Sequence, residues 1–171
     1  MMKLEGGDPM DREKLRSLPD DTMIFGLLLI ISNKMNTLLE REFKEFDVTT
    51  KQFFLSITIN GLFDSPPTLK EVAREMGSSY QNVKQVALKL QQKGLLTLEK
   101  DEKDSRITRL RMTERSKEFW QQTIPKGDLF KERMFKDLNS DDMRKTRDLL
   151  EKMLSNLTAI EKSVPDTGSD T

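Results

Sequence analysis

A row of polar side chains follows one side of the segment 79–93. Apolar residues recur in this segment at Val83, Val86, Ala87 and Leu90, which is the spacing of one buried stripe on a helix. The opposite face is polar and consists of Tyr80, Gln81, Asn82, Lys84, Gln85 and Lys89. A carboxamide can donate to and accept from an adenine edge at once, and an ammonium group suits a phosphate. This face therefore predicts contacts with duplex DNA, although an ordinary solvated helix face is the simpler alternative.

A charged turn over 101–106 holds a second group of candidate DNA contacts. Lys103 and Arg106 lie in this turn, and Arg109 follows it. An arginine on a protruding turn can enter a narrow minor groove, where the negative potential is enhanced. Asp104 comes two residues before Arg106 and is placed to hold its guanidinium. The alternative is a solvated turn for which Asp104 is merely a good turn former.

The elements that must position these residues can be predicted from local signals. They are a helix over 68–77, a helix over 79–93, a strand over 95–100 and a strand over 107–112. Thr68 and Glu71 form a capping box, Ser79 caps the second helix, and Gly94 ends it. The free N–H groups after Ser79 also favour a nearby phosphate. Two helices and a hairpin in this order predict a winged helix-turn-helix, with one helix in the major groove.

The distribution of charge supports an anionic partner, although the total does not. The 171 residues carry 29 basic and 29 acidic side chains, but residues 68–111 hold ten basic and six acidic ones, a local charge of +4. The chain contains neither cysteine nor histidine, which excludes disulfides, thiol redox sensing, a catalytic triad and a His-ligated zinc. We therefore expect no metal, no cofactor and no enzymatic activity. Low aromatic content and high charge favour a mainly helical protein.

An apolar helix is predicted before this segment. Asp20 and Asp21 are placed to cap a helix that runs to about Phe46, with apolar residues on two of its sides. Such a helix needs two neighbours, and one of them is predicted to come from a second subunit; a central helix in a monomer is the alternative. The dense apolar run from Met23 to Ile31 is too short to span a bilayer. With no visible signal peptide, we expect a soluble cytoplasmic protein without membrane contacts.

A heptad seam is predicted in a last helix that Ser140 caps and that runs to about Ser163. The seam residues are Met143, Thr146, Leu150, Met153, Leu157, Ile160 and Val164. Packing within one chain would explain such a seam, but we interpret it as half of a homodimer interface. The dimerisation residues predicted from both helices are Ile24, Leu27, Leu28, Ile31, Leu150, Met153, Leu157 and Ile160.

Two further helices complete the predicted architecture. Thr49 or Thr50 caps one of them, for which the inward-facing candidates are Phe53, Phe54, Ile57, Leu62 and Phe63. Thr113 caps the other, which Pro125 together with Gly127 is expected to kink or split. The predicted domains are a loose segment over 1–19, a winged-helix domain over 48–113, a helical dimerisation region over 20–47 and 114–164, and a tail over 165–171. The predicted fold is mainly α, with a small β-hairpin wing and a helical dimerisation layer.

Several short motifs in this order resemble the MarR family of bacterial transcription regulators, across about residues 21–163. The segment from Val48 to Gln52 is similar to the family's "LTxxQ" helix opening, and 69–73 is similar to the start of its helix-turn-helix. The run 90–96 (LQQKGLL) matches "LexkGLv", and 104–106 (DSR) matches the "D-x-R" of the wing. The chain departs from the family at Ser116, where glycine is usual, and at Gln85, where a basic residue is frequent.

The resemblance implies a homodimeric repressor or activator that binds a near-palindromic DNA operator and dimerises through its first and last helices. It also implies a small amphipathic or aromatic effector, bound between the dimerisation and DNA-binding parts. The candidate residues to line that pocket are Phe25, Met35, Phe53, Phe54, Phe63 and Trp120, for each of which core packing is the alternative. The absence of cysteine excludes the thiol switch of the family's peroxide sensors. A winged-helix module that binds only proteins is the rival function.

Overall fold

The computed structural model describes residues 17–163. The predicted tail over 165–171, the seam residue Val164 and most of the predicted loose segment lie outside the described residues. The helices and strands are α1 (Asp20–Glu42), a 3-10 turn (Lys44–Phe46), α2 (Thr50–Leu62), α3 (Leu69–Glu75), α4 (Tyr80–Gln92), β1 (Leu96–Lys100), β2 (Thr108–Met112), α5 (Glu114–Phe135) and α6 (Ser140–Ser163). The fold is mainly α with one two-stranded hairpin, which confirms the predicted class.

Side-chain caps set the starts of the helices in the helix-turn-helix. Thr68 and Glu71 form the predicted capping box at α3: the Thr68 hydroxyl accepts from the Glu71 N–H at 3.2 Å, and the Glu71 carboxylate accepts from the Thr68 N–H at 2.7 Å. Gly77, at φ +55°, takes the left-handed conformation that lets the chain turn directly into α4. Gly94, at φ +69°, ends α4 in the same way. These local signals account for the accuracy of the predicted boundaries.

The hydrophobic core lies beneath the helix-turn-helix and extends to the hairpin. Most of its members are buried apolar residues from α2, α3, α4 and the two strands, joined by Trp120 of α5, and they include Leu55, Ile59, Leu69, Val72, Val83, Ala87, Leu90, Leu96 and Leu110. The predicted inward stripe of α4 is confirmed at Val83, Ala87 and Leu90, whereas Val86 is only partly buried. Because α4 packs by this stripe, its polar face points away from the core.

The predicted inward face of α2 is largely wrong. Phe54, Ile57 and Leu62 are 43%, 44% and 61% exposed, and the buried face instead includes Leu55 and Ile59. Polar residues occupy the rest of the buried face, and two of them, Gln52 and Ser56, are hydrogen-bonded within the helix or at its N-cap. The Gln52 side chain accepts from the Thr49 N–H at 3.2 Å, and the Ser56 hydroxyl donates to the Gln52 carbonyl at 3.0 Å. Residue type alone therefore predicted the wrong buried face for α2.

Three predicted helix boundaries need correction. Helix α1 ends at Glu42, and the predicted continuation to Phe46 is a 3-10 turn that closes at Asp47, a non-glycine residue at φ 52°. Asp20 and Asp21 lie inside the first turn of α1, whose N-cap position is Pro19, so neither of them caps the helix. At α6 the cap is Asn139, not Ser140: its side-chain oxygen accepts from the N–H groups of Asp141 and Asp142 at 2.8 and 3.0 Å. An amide one residue earlier therefore performs the capping.

Helix α5 is continuous through Pro125 and is not split there. Thr113 caps it as predicted, since its hydroxyl accepts from the Ser116 N–H at 3.2 Å. Gly127, predicted to help break the helix, is buried instead, and a Cβ at this position would come within 3.4 Å of the Phe53 ring. Packing against aromatic residues thus holds this part of α5 helical despite the hydrogen bond that proline removes.

The chain divides into two compact units, over 1–128 and 129–171. The first unit contains the helix-turn-helix, the hairpin and α1. Helix α1 has no buried residue, and it is long and apolar enough, by length and composition, to cross a membrane. The prediction that this segment is too short to span a bilayer is therefore wrong on length, because it rested on the run from Met23 to Ile31 alone. The second unit contains α6, which also buries none of its residues.

Candidate nucleic-acid interface

Helix α4 presents the predicted polar face to solvent. Ser79 caps the helix, as its hydroxyl accepts from the Asn82 N–H at 3.2 Å. The side chains predicted to contact DNA are all exposed along one side: Tyr80, Gln81, Asn82, Lys84, Gln85 and Lys89. No Asp or Glu lies within α4, so nothing acidic on the helix itself opposes a phosphate backbone. The structure thus leaves the amides and ammonium groups free to approach a polyanion.

The hairpin is attached directly to the helix-turn-helix. Its strands pair antiparallel, with Leu98 opposite Leu110 and Glu99 opposite Arg109. On its other side, β2 meets the residues before α3: the Leu110 N–H donates to the Pro67 carbonyl at 2.8 Å, and Arg109 forms an isolated β-bridge with Thr68. The hairpin is therefore a wing in fixed register with the start of α3.

Arg106 is held at the tip of the wing by Asp104. Its Nε donates to Asp104 Oδ1 at 3.0 Å and its Nη2 donates to Oδ2 at 2.9 Å, in a bidentate pair. The Arg106 side chain is 88% exposed. These hydrogen bonds hold the pKa of the Asp104 carboxyl below its ordinary value, so the pair stays charged near neutral pH. The predicted pairing of the two residues is confirmed, and the guanidinium is presented outward in a defined orientation.

Arg109, which was also predicted to contact DNA, uses two of its guanidinium nitrogen atoms for hydrogen bonds within the protein. Its Nε hydrogen-bonds Asp101 Oδ2, and its Nη1 donates to the Pro66 carbonyl at 2.8 Å. Asp101 Oδ1 in turn accepts from the N–H groups of Lys103 and Asp104 at 2.9 and 3.0 Å. The hydrogen bond from Arg109, reinforced by these two, lowers the pKa of Asp101 to about 2. Asp101 and Pro66 were not among the predicted site residues, because their common partner, Arg109, lies eight and 43 positions away from them.

A third arginine–carboxylate pair lies on the body of the wing. Arg111 Nε donates to Glu99 at 2.9 Å, and the hydroxyl of Thr97 donates to the same carboxylate at 2.9 Å. Each of the three wing arginines therefore has an acidic partner, while Lys103 at the tip remains exposed. Among these arginines, Arg106 has the most exposed side chain, at 88% against 38% for Arg109 and 57% for Arg111.

Lys93 ties the end of α4 to the junction before α2. Its Nζ contacts the Asp47 carboxylate at 3.0 Å, hydrogen-bonds the Asp47 carbonyl, and lies 3.5 Å from Gln52 Oε1. Sequence reasoning missed this contact, since the partners lie more than forty positions apart. The ammonium group fixes the C-terminal end of the helix whose polar face forms the candidate interface.

The residues predicted to line an effector pocket are only partly brought together. Phe53 and Trp120 are in contact, with ring centroids 5.7 Å apart, and the Phe53 ring lies 4.6 Å from that of Phe43 at a tilt of 42°. Phe25 and Phe54 are exposed. Of the remaining two predicted residues, Phe63 packs against the hydrophobic core and Met35 is half-buried on α1.

One polar atom in this aromatic cluster lacks a partner. Within the described part of the chain, Trp120 Nε1 is a buried donor without a hydrogen bond. Water does not replace the missing partner readily, because Trp120 is only 5% exposed. A separate cleft has a charged lining that does not include Trp120. It is lined by Arg41, Glu42, Lys44, Glu45 and Lys126, none of which was predicted as an effector contact. An indole N–H without a partner is a donor that a bound ligand could satisfy.

The predicted dimerisation residues are exposed in the single chain. On α1, Ile24, Leu27, Leu28 and Ile31 are between 38% and 43% exposed. On α6, the seam residues Leu150, Leu157 and Ile160 are 44%, 58% and 56% exposed, and Met153 is half-buried. Exposed apolar side chains repeated along one helix are typical of surfaces that pack against another protein.

Comparison with solved structures identifies the fold. A MarR protein from Peptoclostridium difficile matches 90% of this chain and 95% of its own length, with 21% sequence identity and a TM-score of 0.73. MepR from S. aureus, in a complex with DNA, matches 78% of this chain and 97% of its own at 19% identity and a TM-score of 0.71. The organohalide-sensing regulator RdhR, with 2,4-dichlorophenol bound, matches 91% of this chain and 89% of its own at 16% identity and a TM-score of 0.71.

No protein-family model and no curated protein sequence matches this chain. The three structural matches nevertheless cover 90%, 78% and 91% of this chain. The chain therefore has the winged-helix fold of the MarR transcriptional regulators.

Proposed function

We propose that this protein is a DNA-binding transcriptional regulator of the MarR type. One observation carries the proposal: the exposed amide face of α4 and the outward guanidinium of Arg106 belong to the same compact unit, and the wing is fixed to the start of α3. Amides on α4 are suited to base edges in the major groove, and Arg106 is suited to the adjacent minor groove. The DNA complex of MepR, which has the same fold, supports this assignment.

The regulator is proposed to act as a homodimer on a near-palindromic operator. A dimer would cover the exposed apolar residues of α1 and α6, and two-fold symmetry in a protein is mirrored by symmetry in its operator. Because α1 is long and apolar enough to cross a membrane, a lipid bilayer is an alternative environment for this helix. Lys34 lies near the middle of this helix, and a lysine at the bilayer centre costs about 2.5–3.5 kcal/mol. We therefore favour protein packing, and with it a soluble protein in the cytoplasm.

An aromatic effector is proposed to adjust DNA affinity. The unpartnered Trp120 N–H and the surrounding phenylalanine rings suit a small aromatic ligand that carries an acceptor, and the phenol-bound RdhR supports this class. A ligand shifts DNA affinity only by its differential affinity for two states of the protein. Titration of aromatic carboxylates such as salicylate against the DNA complex, with indole fluorescence recorded, would detect it. If a broad aromatic panel neither changes the fluorescence nor releases DNA, the effector proposal fails.

Selection of bound fragments from random duplex DNA tests the function directly. We expect enrichment of one sequence with two related half-sites about one helical turn apart. Binding should weaken steeply with salt, because each phosphate contact releases condensed counterions. If no fragment is enriched and no salt-dependent duplex binding occurs, the rival function, a winged-helix module that binds only proteins, becomes the better account.

A further inference from the structure

Arg109 and Asp101 form a connection between the wing and the segment before α3. Arg109 uses two different nitrogen atoms for two different segments: Nε for Asp101 on the wing, and Nη1 for the Pro66 carbonyl at 2.8 Å. Asp101 also uses both carboxylate oxygens, Oδ2 for Arg109 and Oδ1 for the Lys103 and Asp104 N–H groups. The connection therefore runs from the turn that carries the tip, through one ion pair, to the helix-turn-helix.

This connection differs from the Arg106–Asp104 pair in how much of the arginine side chain is exposed to solvent. The Arg106 side chain is 88% exposed, whereas those of Arg109 and Asp101 are 38% and 11% exposed. The Arg111–Glu99 pair, two residues further along β2, does not extend beyond the wing: Arg111 Nε reaches only Glu99 at 2.9 Å. Arg109 is thus the wing arginine whose hydrogen bonds cross from the wing to the segment before α3.

We propose that Arg109 and Asp101 are positioning residues that set the angle of the wing and act on DNA through Arg106, without contacting DNA themselves. This inference rests on the proposed function. Its physical basis is that a two-stranded hairpin is marginally stable alone, so its orientation depends on what ties its base to the rest of the protein. The minor groove is only about 6 Å wide, so a change in the angle of the wing displaces the Arg106 guanidinium within it.

Substitution of Arg109 and Asp101 separates positioning from contact, because the two roles predict different signs. If Arg109 bound phosphate, Asp101→Asn would free it and remove a nearby negative charge, and DNA affinity would rise. If the ion pair orients the wing, Asp101→Asn lowers affinity, since the asparagine amide would face the guanidinium with another donor. Arg109→Lys should behave like Arg109→Ala, because one ammonium nitrogen cannot replace two guanidinium nitrogens on separate segments. A plain phosphate contact would tolerate lysine.

A double-mutant cycle with the selected operator gives the decisive measurement. We expect Arg109→Ala to weaken binding about tenfold in the wild-type background. In an Arg106→Ala background, the same change should cost less than about twofold, because the residue through which Arg109 acts is already gone. Equal losses in the two backgrounds, or a higher affinity for Asp101→Asn, would overturn the proposal and assign Arg109 to DNA contact.

A DNA-free measurement on the full-length protein keeps this inference separate from the proposed function. Backbone order parameters from NMR should fall over 101–106 in Arg109→Ala and Asp101→Asn, from about 0.85 towards 0.6. Arg111→Ala is the matched control, since it removes an arginine–carboxylate pair from the same strand without breaking the link to Pro66. Unchanged order in the first two variants, or an equal loss in Arg111→Ala, would refute the positioning role. Failure of the wild type to bind duplex DNA would instead refute the proposed function.

Discussion

Truncation of Leu157 provides a quantitative test of the proposed dimer. Leu157 is 58% exposed in the single chain, and Leu157→Ala removes three carbon atoms from its side chain. At about 0.8 kcal/mol per buried carbon, full burial of these atoms would contribute about 2.4 kcal/mol, and 58% of that is about 1.4 kcal/mol. A symmetric dimer loses this twice, or about 2.8 kcal/mol, which corresponds to about a 100-fold rise in the dissociation constant of the dimer.

Sedimentation velocity across a concentration series, at constant salt, measures this constant. The folded chain itself should not be weakened, because Leu157 makes few contacts within it and alanine is a good helix former. Lys152→Ala is the matched control: it also truncates a long side chain on α6, but Lys152 lies outside the heptad seam and should leave the constant within about twofold.

Two results would refute the reasoning. If the wild-type protein is monomeric at micromolar concentration, the exposed seam does not form a dimer. If the wild type is a dimer but Leu157→Ala and Lys152→Ala have the same dissociation constant, then α6 lies outside the interface, and the exposed apolar surface of α1 must supply it.

Three further predictions concern the nucleic-acid interface. Arg106→Ala should weaken operator binding without changing the thermal midpoint of unfolding, and should reduce the salt dependence by roughly one counterion; unchanged affinity with an unchanged salt slope would remove the wing from the mechanism. Alanine at Gln81 or Asn82 should cost about 1–3 kcal/mol on the selected operator and much less on random duplex, as measured by fluorescence anisotropy, and equal losses on both would mean backbone support only. Because the folded-state pKa of Asp101 is about 2 against an ordinary 3.8, its ion pair with Arg109 contributes above pH 3.8 and is lost as the pH falls towards about 2. Carboxyl-carbon NMR should show this low midpoint in the wild type and a shift back towards 3.8 in Arg109→Ala; a midpoint that does not move would contradict the assigned cause.

The features that could be predicted from the sequence depend on neighbours a few positions apart. The capping box of Thr68 and Glu71 closes within one turn, and Gly77 and Gly94 end their helices by their own backbone freedom. The Asp104–Arg106 pair spans two positions, so its chemistry was also visible in the sequence. The polar face of α4 followed from periodicity, because one apolar stripe fixes which side of a helix is buried.

Tertiary structure decided which side of a helix is buried and which partner a side chain meets, because both depend on residues far away in sequence. The sequence favoured Phe54, Ile57 and Leu62 as inward-facing residues of α2, but packing against α3 and α4 buried the side with Leu55 and Ile59. Arg106 and Arg109 look equivalent in the sequence, and only the fold shows that Arg109 Nη1 donates to the Pro66 carbonyl, 43 positions away. A guanidinium group can donate to a phosphate oxygen or to a carbonyl oxygen. Only the fold, by placing one acceptor within hydrogen-bond distance, determines which of them it meets.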